Sequence, residues 1–325
     1  MRIFRFRSAL VSIAIVLLTT TLTAKSHQPP TSKNEYCSLA IVSKSTGNKG
    51  QVCDANVVRE MARQGHVFQQ NQLGIASILA IGPEYSTKEA VKWFEKAALN
   101  GYAPAQVNLA VMYANGWGTN KNYGAALRWF KAAADQEYPR AYYNLGILYL
   151  QGTGVRQDYS EALKFFQKGA EAGDSSAQSN LGYMYDQGLG VARDAAAAVS
   201  WYRKAAENGN PMGQYNLADM YLRREGVNQD DASALRLFQQ AAEHGHTGAQ
   251  IKLGYMYANG RGTKADAETA YEWLTAALLA GDQRGQDLLH ALEPRLKRDQ
   301  ITRATNRART LQLPQSAIAV QSLLP

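Results

Sequence analysis

Long apolar segments are nearly absent from this 325-residue chain. The single continuous apolar run lies at the extreme N-terminus, so a protein with several membrane spans is excluded. Charged residues make up 19% and hydrophobic residues 46% of the chain, a balance that excludes a disordered chain. An excess of one charge is also lacking over most of the sequence, because the residues behind the net charge of +8 concentrate at the two ends. The charge therefore gives little support for a nucleic-acid partner.

The first 24 residues predict a secretory signal. A basic start over residues 1–7 precedes an apolar run over residues 9–18, and the segment ends at the small residue Ala24. We therefore expect export to the periplasm or secretion, with no integral membrane span once the signal is removed. Because Leu22 is larger than the residue usual at its position, retention as an uncleaved anchor stays open as the alternative.

Only two cysteines are present, Cys37 and Cys53, and both lie in the N-terminal extension 25–53. Because export leads to an oxidising compartment, we predict that they form a disulfide. Closing a loop of this size stabilises a fold by about 3 kcal/mol in the chain-entropy account. Two free thiols are the alternative, and the lack of a neighbouring histidine disfavours a metal site.

An internal repeat of 36 residues organises most of the chain. Leucine recurs at this spacing in every unit, and we call such a set of equivalent positions a column. The leucine column is Leu73, Leu109, Leu145, Leu181, Leu217 and Leu253. A tyrosine column follows four residues after the leucines and a bulky, mostly tryptophan column follows twenty residues after them. A further column contains only residues that favour the helix N-cap position: Ser86, Asn122, Asp158, Asp194, Asp230 and Asp266. Such a period is typical of helical solenoids.

Each unit predicts two helices joined by a glycine-rich turn. Ala141, Leu145 and Tyr149 have the i, i+4, i+8 spacing of one helix face. Gly152 can end this helix, since glycine adopts the positive φ of a C-terminal cap, and Asp158 then caps the next helix. One pair buries too little surface to be stable alone, so stacking of pairs forms the core. We predict an all-α, right-handed solenoid of six helix-turn-helix units.

The predicted boundaries follow from the columns. They are a half-repeat helix at 54–65, six repeats at 66–281, one long capping helix within 282–310 and a flexible tail at 311–325.

The repeated string also resembles a known family. It reads Ala-x-x-x-Leu-Gly-x-x-Tyr-x-x-Gly-x-Gly-Val-x-x-Asp-x-x-x-Ala, followed by a bulky aromatic and Lys-x-Ala-Ala. This string is similar to the Sel1-like repeat (SLR) family, relatives of tetratricopeptide repeats, and residues 174–208 match it almost column by column. The resemblance implies an adaptor or scaffold, often exported in bacteria. Some members have a disulfide in each repeat and are linked to penicillin binding, but these repeats lack cysteine, so neither feature is carried over.

No catalytic or cofactor motif accompanies the repeats. Gly188 and Gly190 could suggest a phosphate loop, but the strand and the further residues that such loops require are missing. His244 and His246 could supply two metal ligands, yet no carboxylate or cysteine near in sequence completes a site. No serine or cysteine pairs with a histidine in a nucleophilic arrangement. We therefore expect neither enzymatic activity nor a cofactor or metal.

The first helices carry residues that vary beside the fixed columns, and in a right-handed solenoid these helices line the concave side. We predict that four tyrosines there act as rigid anchors for a partner: Tyr143, Tyr183, Tyr215 and Tyr255. Packing between adjacent helices is the alternative.

An asparagine column directly precedes the leucines: Asn108, Asn144, Asn180 and Asn216. A ladder of amides could grip the backbone of an extended peptide, or the amides could satisfy helix ends of a neighbouring repeat. Lys252 replaces asparagine in the last unit, which would make one end of a peptide groove basic.

The sequence thus favours a non-catalytic exported scaffold that binds a protein or extended peptide in the bacterial envelope. The alternatives are a peptidoglycan- or carbohydrate-binding module and a cell-wall hydrolase. A second hypothesis is an acidic partner or anionic surface at the basic C-terminal helix, against the alternative of a solvated cap face. Its basic residues are Arg295, Lys297, Arg298, Arg303, Arg307 and Arg309.

Overall fold

The structure is a computed structural model that describes residues 38–39, 52–53, 55–78 and 86–312. Within them the chain forms 15 α-helices, which confirms the predicted all-α solenoid. One short parallel pairing, β1 (Ser38–Leu39) beside β2 (Val52–Cys53), was not predicted. The predicted signal, Cys37, the side chain of Cys53 and nearly all of the tail lie outside the described residues.

After α1 (Ala55–Arg63), the helices alternate as first and second members of six pairs. The first helices are α2 (Val67–Ile78), α4 (Ala103–Asn115), α6 (Pro139–Gln151), α8 (Ser175–Gln187), α10 (Pro211–Arg223) and α12 (Thr247–Asn259). The second helices are α3 (Thr87–Leu99), α5 (Tyr123–Ala134), α7 (Tyr159–Glu171), α9 (Ala195–Glu207), α11 (Asp231–Glu243) and α13 (Ala267–Leu279). Two further helices, α14 (Gln286–Leu292) and α15 (Arg298–Gln312), end the described chain.

The chain divides into two compact units, 1–157 and 158–325. In both, the fully buried aromatic side chains come from the second helices, one position after the predicted bulky column. They are Phe94 and Phe130 in the first unit, and Phe166, Tyr202 and Phe238 in the second. The predicted column, exemplified by Trp129 and Trp201, is only half-buried, except for the buried Trp273. The side chains one residue further along therefore fill the core, together with the leucine column.

The predicted helix caps are confirmed. All six N-cap residues accept a backbone N–H of the helix that they begin; in α7, Asp158 accepts from Ser160 at 2.9 Å and from Glu161 at 3.0 Å. Gly152 ends α6 in the left-handed conformation, with φ of 68°. In α10 the same conformation is forced on Arg224, with φ of 58°. A non-glycine residue there is strained.

Close packing of α8 against α9 depends on Gly182, which follows Leu181 of the leucine column. A Cβ atom on Gly182 of α8 would lie 2.7 Å from the ring of Tyr202 on α9. This distance is far inside van der Waals contact, so the absent side chain is what allows the two helices of the pair to approach.

The prediction of one long helix from Gln286 to about Thr310 is wrong. The chain forms α14, a 3-10 turn over Glu293–Arg295, and then α15. Pro294 lacks the amide hydrogen that an uninterrupted helix needs. α15 packs against α13 and buries Ala304 and Ala308 completely, so it covers the end of the repeat core.

Candidate functional site

Glutamines on four of the six first helices tie their pair to the helix before it. The side-chain amides of Gln106, Gln178 and Gln250 each donate to a carbonyl in the last turn of the preceding second helix, at 3.2–3.3 Å. Gln70 makes the same contact with Ala62 at 3.0 Å. Satisfying the end of a neighbouring helix was the alternative that the sequence left open for the asparagines, and these glutamines do it instead. The 36-residue recurrence of glutamine was the signal that could have assigned it.

The asparagine column makes different contacts. In the first unit, Asn108 is buried and donates to the amide oxygen of Asn71 on the previous first helix, at 2.9 Å. Asn144, half-buried in the same unit, donates to the carbonyl of Arg140 in its own helix at 2.8 Å. Asn108 therefore joins successive first helices.

In the second unit, Asn180 donates to the carbonyl of Ser176 one turn earlier in its own helix, at 2.9 Å. Asn216 is half-buried on the next first helix. Because one bond within the helix uses a single N–H of an amide, the other N–H and the oxygen of Asn180 can still serve a ligand. The ladder stays a prediction for Asn144, Asn180 and Asn216.

The four predicted tyrosines differ in environment. Tyr143, in the first unit, is half-buried and its ring centroid lies 5.4 Å from the guanidinium of Arg140. Tyr183 is also half-buried, and burial raises the pKa of its phenol. Tyr255 is 44% exposed. Tyr183 packs against the core of its unit, as the packing alternative expects, whereas Tyr255 presents its ring to solvent. The role of these tyrosines as anchors for a partner stays a prediction.

Tyr215 is the most constrained of the four. Its ring stacks on His246 with a centroid distance of 4.5 Å and meets the edge of Phe238 at 5.4 Å. Burial raises the pKa of the Tyr215 phenol. This tyrosine is held in one orientation before any ligand arrives, which is the property of a rigid anchor.

Tyr215 and Tyr255 line one groove in the second unit, with a volume of about 580 Å³. We name it the basic groove and define it by Tyr215, Ile251, Lys252, Tyr255, Arg261 and Arg284. Its apolar floor includes Ile251, which is 8% exposed. The groove combines aromatic walls, an apolar floor and cations, the composition of a small binding site.

An ion network lies beside the groove on the same helices. Asp219 is 2.8 Å from Arg223 and 3.0 Å from Lys252, so it joins α10 to α12. Arg223 also reaches Asp186 of α8 at 3.3 Å, and the Asp186 side chain is only 7% exposed. Arg193 and Glu225 complete the network. Ion pairs that form a network are worth more than isolated surface pairs, and this network links three first helices.

The basic C-terminal helix is used within the fold. Arg303 binds Glu268 of α13 at 3.0 Å, and Arg307 binds Glu272 and Glu268 of the same helix. These carboxylates raise the pKa of both guanidinium groups. Two of the six predicted basic residues thus hold α15 onto the last repeat.

Neither histidine of the His244–His246 pair takes part in a metal cluster. His246 caps α12 by accepting the amide of Ala249 at Nδ1, at 3.0 Å, and His244 contacts the carbonyl of Gln240 at 2.8 Å. In the part of the chain that the structure describes, no three His, Cys, Asp or Glu side chains converge as metal ligands. Within the same residues, no helix combines the length and apolarity that a membrane crossing requires.

A family model described as the Sel1 repeat matches six consecutive segments of the chain. The matched residues are 70–102, 103–138, 139–174, 175–210, 211–246 and 247–282.

Two solved structures resemble the chain at similar levels. A Sel1 repeat protein from Oxalobacter formigenes is 34% identical with a TM-score of 0.60, over 66% of this chain and 86% of that chain. The protein c5321, a protective antigen of uropathogenic Escherichia coli with an SLR fold, is 33% identical with a TM-score of 0.60. That match covers 82% of this chain and 59% of the length of c5321. No curated protein matches the chain.

Proposed function

We propose, from the premise that this chain belongs to the Sel1 repeat family as its sequence predicted, that it is a non-catalytic scaffold for a protein or extended peptide. The observation that carries the proposal is the basic groove, where Tyr215 is held by His246 and Tyr255 is exposed. Pre-oriented aromatic side chains over an apolar floor bind a partner at low entropic cost.

The scaffold works in the cell envelope, reached by export. The support for this part is the N-terminal segment 1–24 with its basic start and apolar run. In that compartment Cys37 and Cys53 form a disulfide. Mass spectrometry of the chain recovered from the bacterial envelope should find a product that begins after Ala24 and is lighter by the two hydrogens of a disulfide. A chain that still begins at Met1 would refute removal of the signal, and two alkylatable thiols would refute the disulfide.

A photoreactive residue introduced at Tyr255 in living cells tests the binding site. The matched control is the same residue at Glu207, which is exposed at the end of α9. We expect a discrete protein to be captured from Tyr255 and not from Glu207. The same products at both positions would contradict the site, and capture of glycan alone would replace the scaffold with a carbohydrate-binding module.

A further inference from the structure

The charged side chains that line the basic groove all have one sign. Lys252 comes from α12, Arg261 from the turn after it, and Arg284 from the turn after α13. The groove lining contains no carboxylate. Each cation pairs with an aspartate that lies outside the lining: Lys252 with Asp219, Arg261 with Asp231, and Arg284 with Asp282.

The internal ion pairs use only part of the donor capacity of these cations. An ammonium group has three donors and a guanidinium group has five. Lys252 donates to Asp219 at 3.0 Å, and Arg284 forms a bidentate pair with Asp282. The carboxylates hold the cations in place while further N–H groups can bind a ligand. Lys252 and Arg284 remain solvent-accessible, with 38% and 59% of their side chains exposed.

The cations are also departures from the repeat pattern. Lys252 occupies the column that holds asparagine in the four preceding units, and Arg261 occupies a column that holds no other basic residue. The fold does not require a cation at either position, since the other units form the same helices without one. Their convergence on one groove in the last repeat indicates a ligand with negative charge.

We infer that the basic groove binds an extended peptide segment in which an apolar side chain stands beside Asp or Glu. The inference rests on the proposed scaffold function and specifies the chemistry of its partner. The apolar side chain would lie against Ile251 and between Tyr215 and Tyr255, and the acidic side chains would meet the three cations. The C-terminal helix fits such a partner less well, because Arg303 and Arg307 each pair with two carboxylates, whereas each groove cation pairs with one.

Nuclear magnetic resonance with the full chain, ¹³C-labelled at isoleucine and methionine methyl groups, can test this directly. Ile251 and Met256 of the groove then report binding. The probes are two eight-residue peptides, acetylated and amidated, that contain Glu-Leu-Glu-Leu or Gln-Leu-Gln-Leu with a Gly-Ser dipeptide on each side. We expect the Glu peptide to shift both methyl signals saturably, with an affinity about tenfold or more above that of the Gln peptide.

The test variant is Lys252→Asn with Arg284→Gln, in which asparagine restores the residue of the preceding units. The control is Lys297→Gln with Arg309→Gln, which removes the same charge from the exposed C-terminal segment. We expect the first variant to bind the Glu peptide about as weakly as the original chain binds the Gln peptide, and the control to bind normally.

Three outcomes would overturn the inference. Equal binding of the two peptides at Ile251 and Met256 would leave peptide binding intact but remove the acidic preference. Loss of binding in the C-terminal control would move the acidic partner to α15. No shift at these methyl groups with either peptide would exclude the groove as the site, while the crosslink at Tyr255 would still decide separately whether the chain is a scaffold.

Discussion

His246 should make the stability of this protein depend on pH below neutrality. It is the N-cap of α12, and its Nδ1 accepts the amide of Ala249 at 3.0 Å. A protonated imidazole donates at both nitrogens and can no longer accept this bond. Burial lowers the pKa of His246 to about 4, with Arg284 adding to the decrease and Asp282 opposing it. The positive end of the helix further disfavours a charged ring.

The sign and size of this pH dependence of stability follow from proton linkage. The folded pKa of about 4 lies below the value of about 6.5 for histidine in an unfolded chain. The unfolded chain therefore binds the proton more tightly, so stability is complete above about pH 6.5 and is lost as the pH falls towards the folded pKa. Between pH 7.5 and pH 5.0 the free energy of unfolding should decrease by about 2 kcal/mol through this one group.

The matched variant is His246→Asn. Asparagine occupies the same position one repeat earlier, where Asn210 caps α10 by accepting the amide of Gly213 at 2.9 Å. It therefore preserves the cap but does not titrate. Urea unfolding followed by circular dichroism at pH 7.5 and 5.0 should show the variant losing about 2 kcal/mol less than the original chain. Other titrating groups are shared and cancel in this difference. Parallel pH dependence of the two proteins would refute the reasoning.

Three further predictions concern the repeat geometry. Arg224→Gly should raise the free energy of unfolding by up to about 1 kcal/mol, because it relieves the left-handed strain at the end of α10; no gain in chemical denaturation would contradict this. Gly182→Ala should lower the free energy of unfolding by about 1–3 kcal/mol, because the new Cβ clashes with Tyr202. The control is Gly124→Ala, whose Cβ would meet only the capping oxygen of Asn122 at 3.5 Å; it should be neutral or stabilising. Asp266→Ala should cost about 1 kcal/mol by removing the cap of α13, and hydrogen exchange at the first amides of that helix should report the loss.

The fold could be predicted because its determinants are local in sequence. Leucines, caps and turn glycines each recur at one step, and each has a backbone reason to stand where it does. The aromatic core could not be assigned to one column because two adjacent columns are both bulky, as Trp201 and Tyr202 illustrate. Successive residues of a helix point about 100° apart, so periodicity alone does not tell which of two large neighbours faces the core.

The site was predictable only in part for a related reason. Tyr215, Tyr255 and Lys252 all stood on the first-helix face, and the structure brings them into one groove. Arg261 and Arg284 could not be foreseen, because turns bring them to the groove and neither lies on a first helix. The pairing of Lys252 with Asp219 joins two repeats across 33 positions, and no column of the sequence contains it.

Several residues that depart from the repeat pattern lie together in the last two repeats, and the solenoid architecture explains how this is possible. In a solenoid each repeat contacts only its neighbours, so a repeat can exchange surface residues without disturbing distant ones. Asp219, Lys252 and Arg261 all differ from the residues at the same step in the other units, and all lie within the last two repeats, 211–246 and 247–282. The ion network joins Asp219 to Lys252 and, through Arg223, to Asp186 of α8. Specificity can thus be confined to one end of a regular array, because the fixed columns alone maintain the fold everywhere else.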